Sequence, residues 1–229
     1  MQKRFARKLD LEIFLSRAVP YSTPKPNLEQ YTISPDAAAT MLYIAAYANN
    51  DIINKKVLDL GCGTGRLALG AAFLGAKEVV GVDIDRTAVK LASSNSAKLD
   101  FKDRVQWVAT TLEGIRGKFD TTLQNPPFGV QRRHADRKFL EKALILGRNI
   151  YSLHKNITQD TTLIQKLKKC QNGAIQVKPS AFLEKFIEKN GGQIRAVYAM
   201  IMTIPYMFDF HTRRKHEFVV DLYVIETPD

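Results

Sequence analysis

The chain has 229 residues, 45% hydrophobic and 25% charged, the balance of a globular protein long enough to bury one sizeable core. Lys and Arg outnumber Asp and Glu by 34 to 23, and the formal charge of +11 is expected either to draw polyanions, nucleic acid first among them, or to be only a generally solvated basic surface. Cys62 and Cys170 are too few and too far apart for a zinc cluster or a disulfide framework, and no run approaches membrane-spanning length, so a soluble cytoplasmic protein is expected.

Apolar positions Phe5, Leu9, Ile13 and Phe14 recur at helical spacing within residues 2–19, and Pro20, Pro24 and Pro26 then force an extended connection. A second helix is expected from Ser34-Pro35-Asp36 through Ala37, Met41, Ile44 and Ala48, with Ser34 able to cap and Pro35 suited to the first turn. Strands at 57–60, 79–83, 105–108 and 119–123 alternate with helices at 67–74 and 87–99. That alternation implies right-handed crossovers and a parallel sheet with helices on both faces. A helix near 138–146, a strand near 149–153 and a helix near 160–169 follow. Residues 193–204 and 218–225 read as two long strands whose hairpin adds an antiparallel edge. The expected class is α/β with a mostly parallel seven-stranded sheet, residues 1–34 forming a helix and linker ahead of one domain over 35–229. No role is assigned to residues 170–190.

The run Val57-Leu58-Asp59-Leu60-Gly61-Cys62-Gly63-Thr64-Gly65 ends a buried strand and opens a helix, and its glycines let the backbone turn tightly against a ligand. A dinucleotide fingerprint would place its third glycine at position 66, where Arg66 stands, which argues against NAD. The loop resembles the first motif of Rossmann-like class I methyltransferases, which embraces the amino-acid and ribose parts of S-adenosylmethionine. The resemblance implies cofactor contacts from Asp59, Gly61, Cys62, Gly63, Thr64 and Gly65. Cys62 reads as a small residue fitting the turn rather than a nucleophile. Asp83 closes the second strand in Val82-Asp83-Ile84-Asp85, where a carboxylate can accept both ribose hydroxyls, with Ile84 beside it. Class I methyltransferases commonly end the third strand on an acidic residue that bonds the adenine amine. This chain has Thr110-Thr111 there, so either the Thr110 hydroxyl or backbone groups serve instead.

Asn125-Pro126-Pro127-Phe128 directly follows the fourth strand, at the carboxyl edge where open parallel sheets bind ligands, and resembles the Asn-Pro-Pro-aromatic motif of amino-methyltransferases. An exocyclic amine or amide nitrogen delocalises its lone pair and is a poor nucleophile. Two acceptors, the Asn125 side-chain oxygen and the Pro126 carbonyl, can hold its hydrogens and favour a pyramidal nitrogen, while the proline pair fixes the backbone and Phe128 offers a stacking face. These four are the candidate catalytic residues, with Asn125 also facing the cofactor. The following loop offers phosphate contacts from Arg132 and Arg133, or is only a solvated basic turn.

Beyond these motifs the chain resembles the methyltransferase-like protein 5 family of N6-adenine ribosomal RNA methyltransferases and its archaeal relatives. The segments that carry this are Leu28-Glu29-Gln30-Tyr31, Met41-Leu42-Tyr43, Tyr151-Ser152-Leu153-His154-Lys155 after the fifth strand, and Phe210-His211 before a basic stretch. The resemblance implies that Gln30 with Tyr31 or Thr32 closes the S-adenosylmethionine site, although the family's Pro-Thr is replaced here by Thr32-Ile33-Ser34. It also implies a small-subunit ribosomal RNA substrate and a small zinc-binding activator protein along the sheet edge. In residues 208–216, His211, Arg213, Arg214 and Lys215 are candidate RNA contacts, or else a charged hairpin tip that guards against edge pairing. His154 and His211 read equally as structural or catalytic. Two other functions compete: a protein-glutamine methyltransferase, which usually carries tyrosine at the position of Phe128 and a separate N-terminal helical domain, and a non-catalytic RNA-binding assembly factor.

Overall fold

The computed structural model describes residues 6–128, 135–156, 161–205 and 215–228. Among them lie seven α-helices: α1 (Lys8–Ser16), α2 (Pro35–Tyr43), α3 (Arg66–Phe73), α4 (Arg86–Lys98), α5 (Ala135–Leu146), α6 (Thr161–Lys169) and α7 (Ala181–Lys189). Eight strands form one sheet: β1 (Lys56–Leu60), β2 (Glu78–Asp83), β3 (Gln106–Ala109), β4 (Phe119–Gln124), β5 (Gly147–Lys155), β6 (Ala174–Gln176), β7 (Gln193–Pro205) and β8 (Lys215–Glu226).

The strand order is β3-β2-β1-β4-β5-β8-β7-β6. β1 to β5 run parallel, and β8, β7 and β6 each pair antiparallel with the strand before them in that order. The sheet thus has eight strands rather than seven. The addition is β6, whose Ala174, Ile175 and Gln176 pair with Met200, Ala199 and Tyr198. Three residues are too short for an alternating pattern to register in sequence.

Period-2 alternation splits the core into two layers. On one face Tyr151, Leu153, Val220, Leu222 and Val224 pack with residues of α1, α2 and α3. On the other, Leu58, Leu60, Ile150, Tyr223 and Ile225 meet Leu140, Ala143 and Leu144 of α5 and Ile187 of α7. The fifth strand reaches Lys155, so Tyr151-Ser152-Leu153-His154-Lys155 is its carboxyl half rather than the segment after it.

Among the described residues the first helix spans only Lys8–Ser16 and buries a different face, Phe5 lying outside the described residues. Leu11, Phe14, Leu15 and Ala18, at i, i+3, i+4 and i+7, are in the core, whereas Leu9 and Ile13 are more than half exposed. Phe14 decides the rotation: its ring stacks on Phe73 of α3 at 4.5 Å and meets Phe101 edge-on at 5.2 Å. Ser34 occupies the N-cap position of α2 with Pro35 behind it, but its hydroxyl makes no capping bond and is buried without a partner. Past Tyr43 the helix widens into a π turn over Ile44–Ala48.

Candidate active site

The carboxyl ends of β1, β2 and β4 open onto a cavity of about 460 Å³. Its floor is the glycine loop after β1. Gly61 and Cys62 both donate their N–H to the Val82 carbonyl at 2.8 Å, and Gly63, at φ +54°, donates to Asp83 Oδ2 at 2.9 Å. A Cβ on Gly63 would come within 3.0 Å of the Tyr21 hydroxyl, so the glycine makes room for that ring over the loop. Gly65 serves differently. It holds φ +85° at the N-cap of α3, a Cβ there would strike Trp107 at 2.5 Å, and it packs behind the loop rather than on the cavity wall. Cys62 lines the cavity, and burial pushes its thiol well up, out of the nucleophilic range.

Two carboxylates face the cavity from the strand ends. Asp59 is buried and accepts one bond, from Ala68 N at 2.9 Å; desolvation pushes its carboxyl up to about 7. Asp83 is also raised, chiefly by burial, while each of its oxygens takes one backbone N–H, from Gly63 and from Asp85, leaving its remaining lone pairs for a ligand.

A strap formed by residues 18–33 crosses above the loop and is fastened by the body of the protein. Arg66 donates to the carbonyls of Ile33 and Ala18, the latter at 3.2 Å; burial lowers its guanidinium to about 10. Asn95 accepts from Val19 N at 2.9 Å and donates to the carbonyls of Val19 and Thr64 at 3.0 Å. Asp85, the N-cap of α4, accepts from Lys25 Nζ at 2.9 Å, Gln30 Nε2 at 2.8 Å and Thr87 N at 3.0 Å. Burial pushes the Asp85 carboxyl up, but these hydrogen bonds outweigh it and hold it below the usual range. Gln30 also accepts from Lys25 N at 2.9 Å, so both ends of its amide hold the strap in shape. Tyr31 and Thr32 line the cavity, and the Thr32 hydroxyl is buried without a partner.

Asn125 and Pro127 line the cavity beneath the strap. Asn125 Nδ2 donates to the Tyr31 carbonyl at 3.5 Å, which orients the amide and leaves Oδ1 buried with no partner. Phe128 is turned away: its ring meets Phe218 of β8 edge-on at 6.0 Å, and neither it nor Pro126 belongs to the cavity wall. At the far end Ile84, 57% exposed, and Thr110 share the wall with Thr111, Leu112 and Glu113. The Glu113 carboxylate, steadied by its own backbone N–H and the Thr111 side chain, is held below its usual range. Behind Asn125, Gln124 Nε2 donates to Ser152 Oγ at 2.8 Å, and Ser152 lies 2.8 Å from His154 Nε2. Burial lowers His154 to about 4, so the ring is neutral, its tautomer setting the direction of the bond with Ser152, and it stands outside the cavity in a structural position.

Of the expected RNA contacts, Arg132, Arg133, His211, Arg213 and Arg214 lie outside the described residues, and Lys215 opens β8. Sequence reasoning missed Tyr21, Arg66, Asp85, Glu113, Lys138 and Phe139. Only Arg66 carried a signal, as the side chain standing where a nucleotide fingerprint has glycine.

These residues fit S-adenosylmethionine, a cation bearing ribose hydroxyls and an adenine. Asp59 and Asp83 line the wall together with Glu29 and Glu113, polar atoms without partners, Thr32 Oγ1 and Asn125 Oδ1 among them, belong to residues that line it, and the loop leaves a cradle that a Cβ would fill. Fold and site together define a class I S-adenosylmethionine-dependent methyltransferase. The pattern of the methyltransferase small domain matches residues 34–149. An uncharacterised protein of Methanocaldococcus jannaschii is 37% identical over 96% of this chain and 94% of its own length. The rRNA N6-adenosine-methyltransferase METTL5 of Danio rerio is 40% identical over 66% of this chain and 75% of its own. A crystal structure of a provisionally assigned RNA methyltransferase from Pyrococcus horikoshii superposes with a TM-score of 0.80 at 33% identity, covering 99% of this chain and all of that one. The chain belongs to the methyltransferase small-domain family and, within it, to the METTL5 group.

Proposed function

We propose that the chain transfers a methyl group from S-adenosylmethionine to N6 of an adenine in small-subunit ribosomal RNA, in the cytoplasm. The zebrafish relative's activity supports the acceptor class. The observation that carries the chemistry is Asn125 Oδ1, a buried acceptor with no protein partner on a residue that lines the cofactor cavity. An unpaired buried acceptor is costly unless a ligand supplies its donor. The adenine amine supplies two. Asn125 Oδ1 takes one hydrogen and the Pro126 carbonyl the other, turning the nitrogen lone pair out of the ring plane. Pro127 restricts Pro126 to extended backbone and so fixes where that carbonyl points.

S-adenosylmethionine, when bound, supplies an electrophilic methyl group on a sulfonium. Asp83 takes the ribose hydroxyls, Asp59 and the loop Gly61, Cys62, Gly63 and Thr64 take the amino-acid end, and Ile84 with Thr110 flanks the adenine. Tyr31, Thr32 and the strap exclude water, with Gln30 acting through Asp85 rather than on the cofactor. Phe128 stacks on the acceptor only after leaving Phe218, and Gly65 supports the loop through Trp107. Arg132, Arg133, His211, Arg213, Arg214 and Lys215 are proposed to hold the RNA backbone. A small zinc-binding activator at the sheet edge belongs to the same proposal, supported by β6 and Val177 covering only Val197–Met200 of β7 among the described residues.

The test is transfer of labelled methyl to deproteinised ribosomal RNA, with and without a zinc-binding activator, followed by nucleoside analysis. Label in N6-methyladenosine of the small-subunit RNA is expected. Label in added protein alone would move the acceptor to a glutamine amide.

A further inference from the structure

Helix α7 is anchored at both ends of its inner face. Its N-cap Ser180 accepts from Leu183 N through Oγ at 3.3 Å and donates its backbone N–H to Tyr223 Oη at 2.9 Å, and Ile187 is fully buried. The helix nonetheless presents Phe182 at 52% exposure. That ring is not loose: the Arg137 guanidinium lies over it at 4.5 Å from the centroid, and Phe186 stacks beside it with centroids 6.2 Å apart at 26°. Arg137 belongs to the first turn of α5, between Ala135 and Lys138, both of which line the active-site cavity. A guanidinium set over an aromatic ring thus belongs to the same turn of α5 whose Ala135 and Lys138 line the cavity.

We propose that Arg137 and Phe182 form a contact platform for the RNA strand carrying the target adenine, gripping a nucleotide beside the one drawn into the cavity. The proposal rests on the RNA reading above. Stacking on Phe182 spends the entropy of the long Arg137 side chain before RNA arrives, leaving its edge N–H groups for a phosphate and its outer face for a base plane. The exposed ring edge adds apolar surface that a base can cover. Charge suits the same occupant: Arg137 and Lys138 follow Asp136 in the first turn of α5, in a protein of formal charge +11. The charges of α7 itself, Lys185 and Lys189 against Glu184 and Glu188, cancel. The platform should therefore hold RNA more by stacking than by charge.

The test uses the full chain and a fluorescent ribosomal RNA fragment that the parent methylates. If the parent forms no N6-methyladenosine in any ribosomal RNA, the acceptor assignment fails and the platform with it. Given an active parent, Phe182→Ala, Phe182→Leu, Arg137→Ala and Arg137→Lys are compared by RNA affinity and its salt slope, KM for RNA, kcat, S-adenosylmethionine affinity and melting midpoint. Phe182→Ala and Arg137→Ala should each weaken RNA binding about tenfold and raise KM in step, with cofactor affinity unchanged. Arg137→Ala should also flatten the salt slope by about one contact. Arg137→Lys should restore the slope but not the full affinity. Phe182→Leu keeps the apolar packing and should bind as weakly as Phe182→Ala even where the latter melts lower. RNA affinity of Arg137→Ala or Phe182→Leu within about twofold of the parent, or complete restoration by Arg137→Lys, overturns the platform.

Discussion

Asp59 is the residue at which fold and cofactor oppose each other, and Asp59→Asn separates them. In the empty protein, desolvation holds this carboxyl at about 7 against an ordinary 3.8. A raised folded-state value means that the associated stability is fully present below the ordinary carboxyl range and is lost as pH rises through about 7. A shift of this size corresponds to roughly 4 kcal/mol by pH 8, at about 1.4 kcal/mol per unit. Asparagine keeps an oxygen for the Ala68 N–H and removes the charge, so the empty variant should melt above the parent at pH 8, by less than half that margin at pH 5, and level with it only below the ordinary carboxyl value. The cofactor reverses the preference, because its positive charge favours the ionised carboxylate. Parent affinity for S-adenosylmethionine should then fall about tenfold from pH 8 to pH 6, as Asp59 takes up a proton that binding must expel. Calorimetric titration of both proteins at both pH values, beside melting curves of the empty forms, reads the two effects separately. An affinity equal at pH 6 and pH 8, or an equal dependence surviving in Asp59→Asn, would refute the assignment of this carboxyl to the cofactor.

Three further outcomes are expected. Asn125→Ala should lower kcat by about a hundredfold or more, the scale of losing one preorganised donor or acceptor at a reacting centre, with cofactor affinity little changed by calorimetry. Gln30→Ala removes the bond from Lys25 N within the strap and the bond that ties the strap to Asp85, and should speed cofactor release in stopped-flow measurements while leaving the melting midpoint of the empty protein nearly unchanged; equal release rates would detach the strap from cofactor retention. Leu15→Ala should destabilise the fold by about 2–5 kcal/mol in denaturant titration, whereas Ile13→Ala, at an exposed position of the same helix, should stay within about 0.5 kcal/mol.

Much of the fold was legible because strand and helix periods alternate clearly from Val57 to Leu146, and the glycine loop and Asn125-Pro126-Pro127-Phe128 fall at strand ends where the topology makes them converge. What was not legible depended on rotation or on distant partners. Leu9 and Ile13 fit helical spacing as well as Leu11 and Leu15 do; only the aromatic stack of Phe14 on Phe73 and Phe101 sets which face turns inward. β6 was too short to show a period. Gly65 and Phe128 were read as ligand contacts because they sit in the right motifs, but their neighbours Trp107 and Phe218 come from other strands. The acidic residue missing from the end of the third strand has a counterpart on the cavity wall in Glu113, which a 3₁₀ turn at Leu112–Gly114 places there.

The grip on the strap falls largely on main-chain atoms. Arg66 takes the carbonyls of Ala18 and Ile33, and Asn95 takes both backbone groups of Val19. Such contacts are blind to side-chain identity at Ala18, Val19 and Ile33. The path of the strap is thus kept by Arg66 and Asn95, which lie outside it. Grafting a relative's strap between Ala18 and Ile33 would accordingly change what the lid offers the ligand without changing where the lid lies.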